Sequence, residues 1–357
     1  MDSIHEFQPD WVSAPGDTIL DILKERGLSV AEFAQQIGHS VDQATELLQG
    51  RTTITIAIAR SLERLFGASV AFWMSRDFQY RQDATRLHPD DSGWLTELPM
   101  VDMVRYGWLR PAPRPSDEVA ACLRFFNVPS IQAWHETYEK LEEMVAFRRS
   151  PSFDSRPGAV AAWMRRGEIE TETIDCRPWN PTQFKESLAS VRPLTRQKDP
   201  HRFIPTLQNL CAASGVAVGV VRAPTGCRVS GATRFLSASR ALLLLSFRYL
   251  SDDQFWFTFF HEAGHLILHS QTRLFLEGIE TPATQEEQEA NDFAGRTLIP
   301  PNVHSTMLNL AVDHREIIRF AQRVGVSPGI VVGQLQHYKR IDPSYFYKLK
   351  RRYTWDD

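Results

Sequence analysis

The chain has 357 residues, 43% hydrophobic and 23% charged, with a formal net charge of -3. That length exceeds one ordinary core and predicts two or three domains of globular composition. The charge excludes a chain that coats nucleic acid, though it leaves room for one small DNA-binding domain. No signal-like run opens the sequence, and its most apolar stretch, Ala241 to Phe247, is too short for a membrane, so a cytoplasmic location is expected.

The cysteines, Cys122, Cys176, Cys211 and Cys227, are scattered without C-x-x-C spacing and are expected to be reduced thiols. No solenoid repeat and no low-complexity segment is visible. Three regions are expected: an all-α domain over residues 1–85, a helical connector over 86–178, and an α+β domain over 179–357.

Residues 1–85 predict five short helices. Thr18 to Arg26 places Ile19, Ile22 and Leu23 on one face, and Gly27 ends it. Ser29 and Glu32 form a capping box for a second helix that runs to about Ile37. Gly38-His39 makes a turn, and Ser40 caps a third helix that ends near Leu48. Two short helices across a glycine-containing turn are a helix-turn-helix pattern. Ile54 to Phe66 and Val70 to about Tyr80 follow as the fourth and fifth helices.

This stretch resembles the lambda-repressor-like (XRE) helix-turn-helix family. The resemblance rests on Leu28-Ser29-x-x-Glu32-Phe33-Ala34, Leu47-Leu48-x-Gly50, Ile54-Thr55 and Phe66-Gly67 with Phe72-Trp73. It implies a third helix in the major groove, with Ser40, Asp42, Gln43 and Thr45 at base edges, an operator as partner, and a homodimer if the operator is palindromic. Glutamine suits adenine, and Arg51, Arg60 and Arg64 would supply phosphate contacts. The third helix itself has no Arg or Lys and carries Asp42 and Glu46. A protein-binding or dimerisation domain therefore stands as the other reading.

In the connector, Val119 to Phe126 and Ile131 to Met144 have helical apolar spacing, with breaks expected at Pro111-Ala112-Pro113 and Ser150-Pro151. Trp163 lies in a further helical stretch, and these residues read as packing. Beyond Trp179-Asn180-Pro181, three segments read as strands: Val216 to Val221, Cys227 to Phe235 and Ala241 to Leu245. One of them is expected to form a sheet edge beside a cleft, where a peptide can add as a strand.

The segment Phe260-His261-Glu262-Ala263-Gly264-His265 contains H-E-x-x-H. On a helix the two histidines share a face and can reach one metal, with the intervening carboxylate close by as general base. Zinc with such ligands activates water for peptide hydrolysis. The flanks Phe257, Phe260, Leu266 and Leu268 would bury this helix except at its histidine face. His269 lies a further turn along, about 6 Å down the axis, and is expected to support the ligands rather than join them. The third ligand is expected from the acidic segment Gln285 to Asp292, where Glu289 and Glu286 are both candidates.

H-E-x-G-H followed by E-A-N-x-F-A-x-x-x-L-x-P resembles the ImmA/IrrE family of metallopeptidases. The resemblance implies a zincin-like domain with a small sheet, Zn2+ held by His261, His265 and Glu289, and Glu262 as base. It implies cleavage of a repressor or antitoxin-type regulator. An antitoxin-like DNA-binding regulator that uses the domain as a sensor or partner-binding module is the alternative. His304 is a candidate for oxyanion stabilisation. The basic, aromatic tail Lys348 to Asp357 reads as a solvated terminus, or else as a segment that closes over the site or binds a partner.

Overall fold

The side chains of Ser29, Ser40 and Thr55 cap three of the N-terminal helices, and glycines end three of them. In the computed structural model, residues 13–87, 91–111, 115–138, 155–269, 274–277 and 284–355 are described. Helices α1 (Pro15–Arg26), α2 (Val30–Ile37), α3 (Val41–Leu48) and α4 (Ile56–Phe66) follow the sequence expectation closely. The Ser29 amide donates to Glu32 Oε2 at 2.8 Å, which completes the expected capping box. Gly27, Gly38 and Gly67 take the left-handed conformation at three helix ends. Ile19, Phe33, Ala44, Leu47, Ile58, Leu62 and Trp73 form the core of this bundle.

The fifth helix, α5 (Val70–Leu87), runs past the expected end near Tyr80. The extra length carries Arg81, which is 1% exposed. Its guanidinium forks onto Asp77 at 2.8 and 3.0 Å and donates to the Val128 carbonyl at 2.7 Å. The bond to Val128 fastens α5 to the turn after α7 (Pro115–Phe126). A 3-10 turn (Asp91–Glu97), α6 (Met100–Arg105) and α8 (131–138) complete this part. Trp94 and Trp134 meet edge-on at 5.4 Å, and Phe126 packs on Trp134 at 5.6 Å.

The chain divides into two units, Met1–Glu143 and Met144–Asp357. Residues 86–178, expected as a connector, fall partly in each unit. The first half of this stretch joins the helical bundle through the Arg81 bond to Val128 and through Arg124, which lies over the Phe78 ring at 5.0 Å, and its last helix, α9 (Pro157–Thr171), belongs to the second unit. Trp163 Nε1 donates to the Val221 carbonyl at 3.0 Å, so α9 is pinned to the end of a strand. The expected breaks at Ala112, Pro113, Ser150 and Pro151, and the stretch to Met144, lie outside the described residues.

In the second unit, α10 (Pro181–Val191) and α11 (Pro200–Ala212) lead into a four-stranded sheet of order β1-β3-β2-β4. The strands are β1 (Val216–Val220), β2 (Gly231–Ser237), β3 (Arg240–Leu245) and β4 (Phe275–Glu277). β1 and β3 are parallel, and β2 is antiparallel to both of its neighbours. Strand β3 is buried on both faces, which explains its unbroken apolar run. Ala241, Leu243 and Leu245 join the main core with α12 (Asp252–Leu268), while Leu244 meets α9 at Gly167. The helices α13 (Gln285–Leu298), α14 (Pro301–Leu308), α15 (His314–Val324) and α16 (Pro328–His337) follow.

The described part of the tail, to Trp355, is tied to the body of the second unit rather than free in solvent. It crosses the N-terminus of α12. The Asp252 amide donates to the Arg351 carbonyl at 3.0 Å, and the Arg351 amide donates to Asp252 Oδ1 at 2.9 Å. Lys350 pairs with Asp253 at 2.6 Å. Tyr353 is 4% exposed and packs on Phe247 at 5.0 Å, so tail aromatics fill a core position. No helix among the described residues is long and apolar enough to cross a membrane. The four cysteines are free. Burial pushes the Cys122 and Cys227 thiols up to about 12, which keeps them protonated.

Candidate metal centre

Helix α12 is apolar on nearly every side. Phe255, Trp256, Phe259, Phe260, Ala263 and Leu266 are buried, which leaves the helix anchored along its length. Gly264 allows the close approach of α13: a Cβ there would sit 3.2 Å from the Ala290 Cα. Gly231 does the same for β2, since its Cβ would meet Glu262 Oε1 at 2.7 Å. The two glycines therefore bring a helix and a strand onto the segment His261–His265 from different sides.

The two histidines turn their Nε2 atoms toward one another at 2.9 Å. Glu287 Oε2 lies 3.2 Å from His261 Nε2 and 3.7 Å from His265 Nε2. Two imidazole nitrogens and one carboxylate oxygen thus converge on one point. Ligands about 2.1 Å from a tetrahedral zinc stand roughly 3.4 Å apart, so this donor set fits such an ion in chemistry and spacing.

The electrostatics agree. Burial holds the His265 imidazole below its usual pKa, opposed by the hydrogen bond to Glu287, and the neutral ring is the form that ligates. Burial alone would raise the Glu287 carboxyl. The hydrogen bonds to His261 and His265 outweigh it and hold the group well below the usual carboxylate range.

The outer ring nitrogens are held as well. His261 Nδ1 lies 3.0 Å from Asn291 Oδ1, an acceptor, so Nδ1 carries the proton and Nε2 offers its lone pair. His265 Nδ1 lies 2.9 Å from His269 Nδ1, and His269 Nε2 lies 3.2 Å from Glu289 Oε2. A proton on each donor gives a relay from His265 through His269 to Glu289.

The structure brings a different carboxylate from the expected Glu289 to the two histidines. Glu289 is the outer end of that relay and its side chain is 44% exposed, whereas Glu287 stands with the histidines. Helical phase is the reason. Ala290, Ala294 and Leu298 are the buried face of α13, and Glu287 shares it at i-3 from Ala290. Glu289 is turned about 200° from Glu287 around the helix. Glu286, the other candidate, also lies outside the cluster. The i, i+3, i+4, i+7 pattern of 287, 290, 291 and 294 was the signal available in the sequence.

Glu262 is fully buried, and its Oε2 accepts from Thr233 Oγ1 at 3.0 Å. Thr233 was not singled out in the sequence, because nothing local distinguishes it from any other strand threonine. The expected open edge is displaced too: β2 lies beside the site, but β4 pairs along its outer side and takes the edge position. β4 has three residues, too few for a periodic pattern. His304 lies outside the cluster. It lines a separate cavity with Asn291 and Phe257, and its Nε2 is buried without a hydrogen-bond partner.

Two family models match the chain: helix-turn-helix over residues 19–73 and, in the peptidase M78 family, the IrrE N-terminal-like domain over residues 217–335. The chain joins a helix-turn-helix domain to an IrrE-like, peptidase-like domain. A comparison with curated proteins gives no match. The IrrE-like match runs from β1 to α16 and contains His261, Glu262, His265 and Glu287.

The helix-turn-helix match contains every residue expected at DNA. In α3 these side chains close on their own helix. Ser40 Oγ accepts from the Gln43 amide at 3.2 Å, Gln43 Oε1 accepts from the Ser40 amide at 3.0 Å, and Thr45 Oγ1 donates to the Val41 carbonyl at 2.7 Å. Asp42 and Arg51 are exposed. The expected adenine reader, Gln43, is thus engaged in a capping box that the sequence reading assigned only to Ser29.

Proposed function

We propose that the chain is a zinc-dependent endopeptidase that cleaves a specific regulatory protein of the repressor or antitoxin class, and that its helix-turn-helix domain couples this cleavage to transcription. The observation that carries the reading is the convergence of His261 Nε2, His265 Nε2 and Glu287 Oε2 beside the buried carboxylate of Glu262. A structural metal would need the first three groups and not the fourth.

His261, His265 and Glu287 would hold the ion, and zinc would supply Lewis-acid polarisation of a peptide carbonyl and acidification of water. Glu262 takes the proton from the attacking water and returns it to the departing amine. Thr233 fixes the orientation of that carboxylate through Oε2. Asn291 and the His269–Glu289 relay hold the two ligand rings in one tautomer and one plane. The substrate would add to the edge of the sheet at β4, with its backbone held as a further strand.

The test has two parts. Plasma mass spectrometry of the purified chain should find about one zinc per molecule in the wild type and in Glu262→Gln, and loss of zinc in Glu287→Ala. New protein N-termini should then be compared between cells expressing wild type and cells expressing Glu262→Gln. A cut in a helix-turn-helix regulator seen only with wild type is the expected result. Bound zinc with no such cut would leave an antitoxin-like regulator whose cleft binds a partner.

A further inference from the structure

Beside the metal centre lies a cavity of about 360 Å³ walled by α12, α13, α14 and α16. It adjoins the ligands through two residues. Asn291 lines it and bonds His261 at 3.0 Å, and Phe257 lines it with its ring 6.3 Å from that of His261. Gly295 gives it room: a Cβ there would meet only Gln334 Oε1, at 3.8 Å.

The lining has a consistent chemistry. Phe257 and Ile299 are apolar walls. Its fixed charges, Asp292 and Arg296, pair with each other at 3.5 Å and have side chains 72% exposed, so they sit at the rim and cancel. Deeper in, His304 Nε2 is buried with no hydrogen-bond partner, and the His304 ring stands edge-on to Tyr338 at 4.9 Å. A buried polar atom of this kind calls for a partner from an occupant. A charged occupant would lose water without gaining a counter-charge.

We propose that this cavity is the specificity subsite of the peptidase and receives a large uncharged side chain ending in a hydrogen-bonding group, the chemistry of Tyr, Trp or Gln, from the residue next to the scissile bond. The inference rests on the zinc-peptidase reading above. The apolar walls take the body of the side chain, His304 takes its polar end, and Asn291 links occupancy of the pocket to the ring of a metal ligand. Gly295 and His304 determine the selection.

N-acetyl amino-acid hydroxamates test this without a known substrate, since the hydroxamate anchors on zinc and the side chain probes the pocket. Binding to the zinc-loaded full chain is measured by calorimetry for the Tyr, Phe, Gln, Leu, Arg and Glu forms, with acetohydroxamate as the side-chain-free anchor. The Tyr form should bind about 10-fold tighter than the Phe form, the gain expected from one net hydrogen bond to His304. Arg and Glu forms should bind no better than acetohydroxamate. His304→Ala should erase the preference for Tyr over Phe, and Gly295→Leu should erase the gain from any side chain, both with acetohydroxamate affinity and zinc content unchanged. Equal affinities across the series, or a preference that survives both variants, would overturn the subsite. Failure of acetohydroxamate itself to bind the wild type would instead overturn the underlying metal centre, and the subsite with it.

Discussion

In α3 the polar side chains of Ser40, Gln43 and Thr45 close on their own backbone, whereas in α12 those of His261 and Glu262 bond to other elements and His265 faces Glu287 of α13. The first helix is exposed along the face that carries Asp42 and Gln43, and its polar groups can always find water. The second is buried, so each polar group needs a partner from another part of the fold. The difference teaches where chemistry is fixed in this molecule. A buried polar constellation is over-determined by packing, while a surface constellation is set mainly by local hydrogen bonds.

The largest test of that contrast lies in α13. Glu287→Ala should reduce zinc affinity by more than the roughly 10–100-fold that outer partners of a metal ligand cost. Glu289→Ala should stay within that range, because it acts through His269. Chelator competition measures both, and equal losses would show that the outer relay is not separable from the ligand set. Next in size is Gly231→Ala, whose methyl would press on Glu262 and Thr258. It should cost about 1–3 kcal/mol in denaturant unfolding, and a neutral result would mean that β2 and α12 are less tightly seated than the contact distances indicate.

Asp252 extends the contrast to pH. Burial pushes its carboxyl up to about 6, against the hydrogen bonds from Ser327 and Arg351 and with the help of Asp253. The group faces Arg351 of the tail and Ser327 as well as Asp253 on its own helix, and Lys350 pairs with that Asp253. Because the folded pKa is raised, the folded chain keeps a proton that the unfolded chain releases near its own pKa of about 4. This contribution is complete below about pH 4 and is lost as the pH rises through about 6. Thermal unfolding of Asp252→Asn across that window should lack this component, so the variant gains on wild type as pH rises. A constant difference would refute the assignment.

The smallest effects belong to α3. Gln43→Ala should lower stability by about 0.5–1 kcal/mol through loss of the capping box, with base preference unchanged. Arg51→Ala should weaken DNA binding uniformly across sequences and reduce the salt slope by about 0.9. A mobility-shift series that shows altered base preference for Gln43→Ala at unchanged stability would place α3 alongside α12 as a committed site.

What the sequence revealed divides along the same line. The caps at Ser29 and Ser40, the glycine stops and the apolar run of β3 are local signals, and the helices and strands followed them. His261, Glu262 and His265 were legible because one helix carries all three. Glu287 required the phase of α13 against α12, and the resemblance pointed two residues further on. Thr233, β4 and the docking of the tail depend on pairings across long stretches of chain, which no local pattern records. The division at about residue 143 was hidden for the same reason, since Arg81 and Trp163 show their loyalties only through distant carbonyls.

The clasp on α12 has a kinetic consequence. Arg351 meets Asp252 across 99 residues of sequence and the Thr195 carbonyl across 156. Closing loops of that size is entropically costly, so such contacts form late in folding. The helix that bears both histidines is therefore seated only when the whole second unit has come together. During refolding, recovery of tight zinc binding should lag behind the recovery of helix content. A nascent or damaged chain then carries His261, Glu262 and His265 before they are brought together with Glu287.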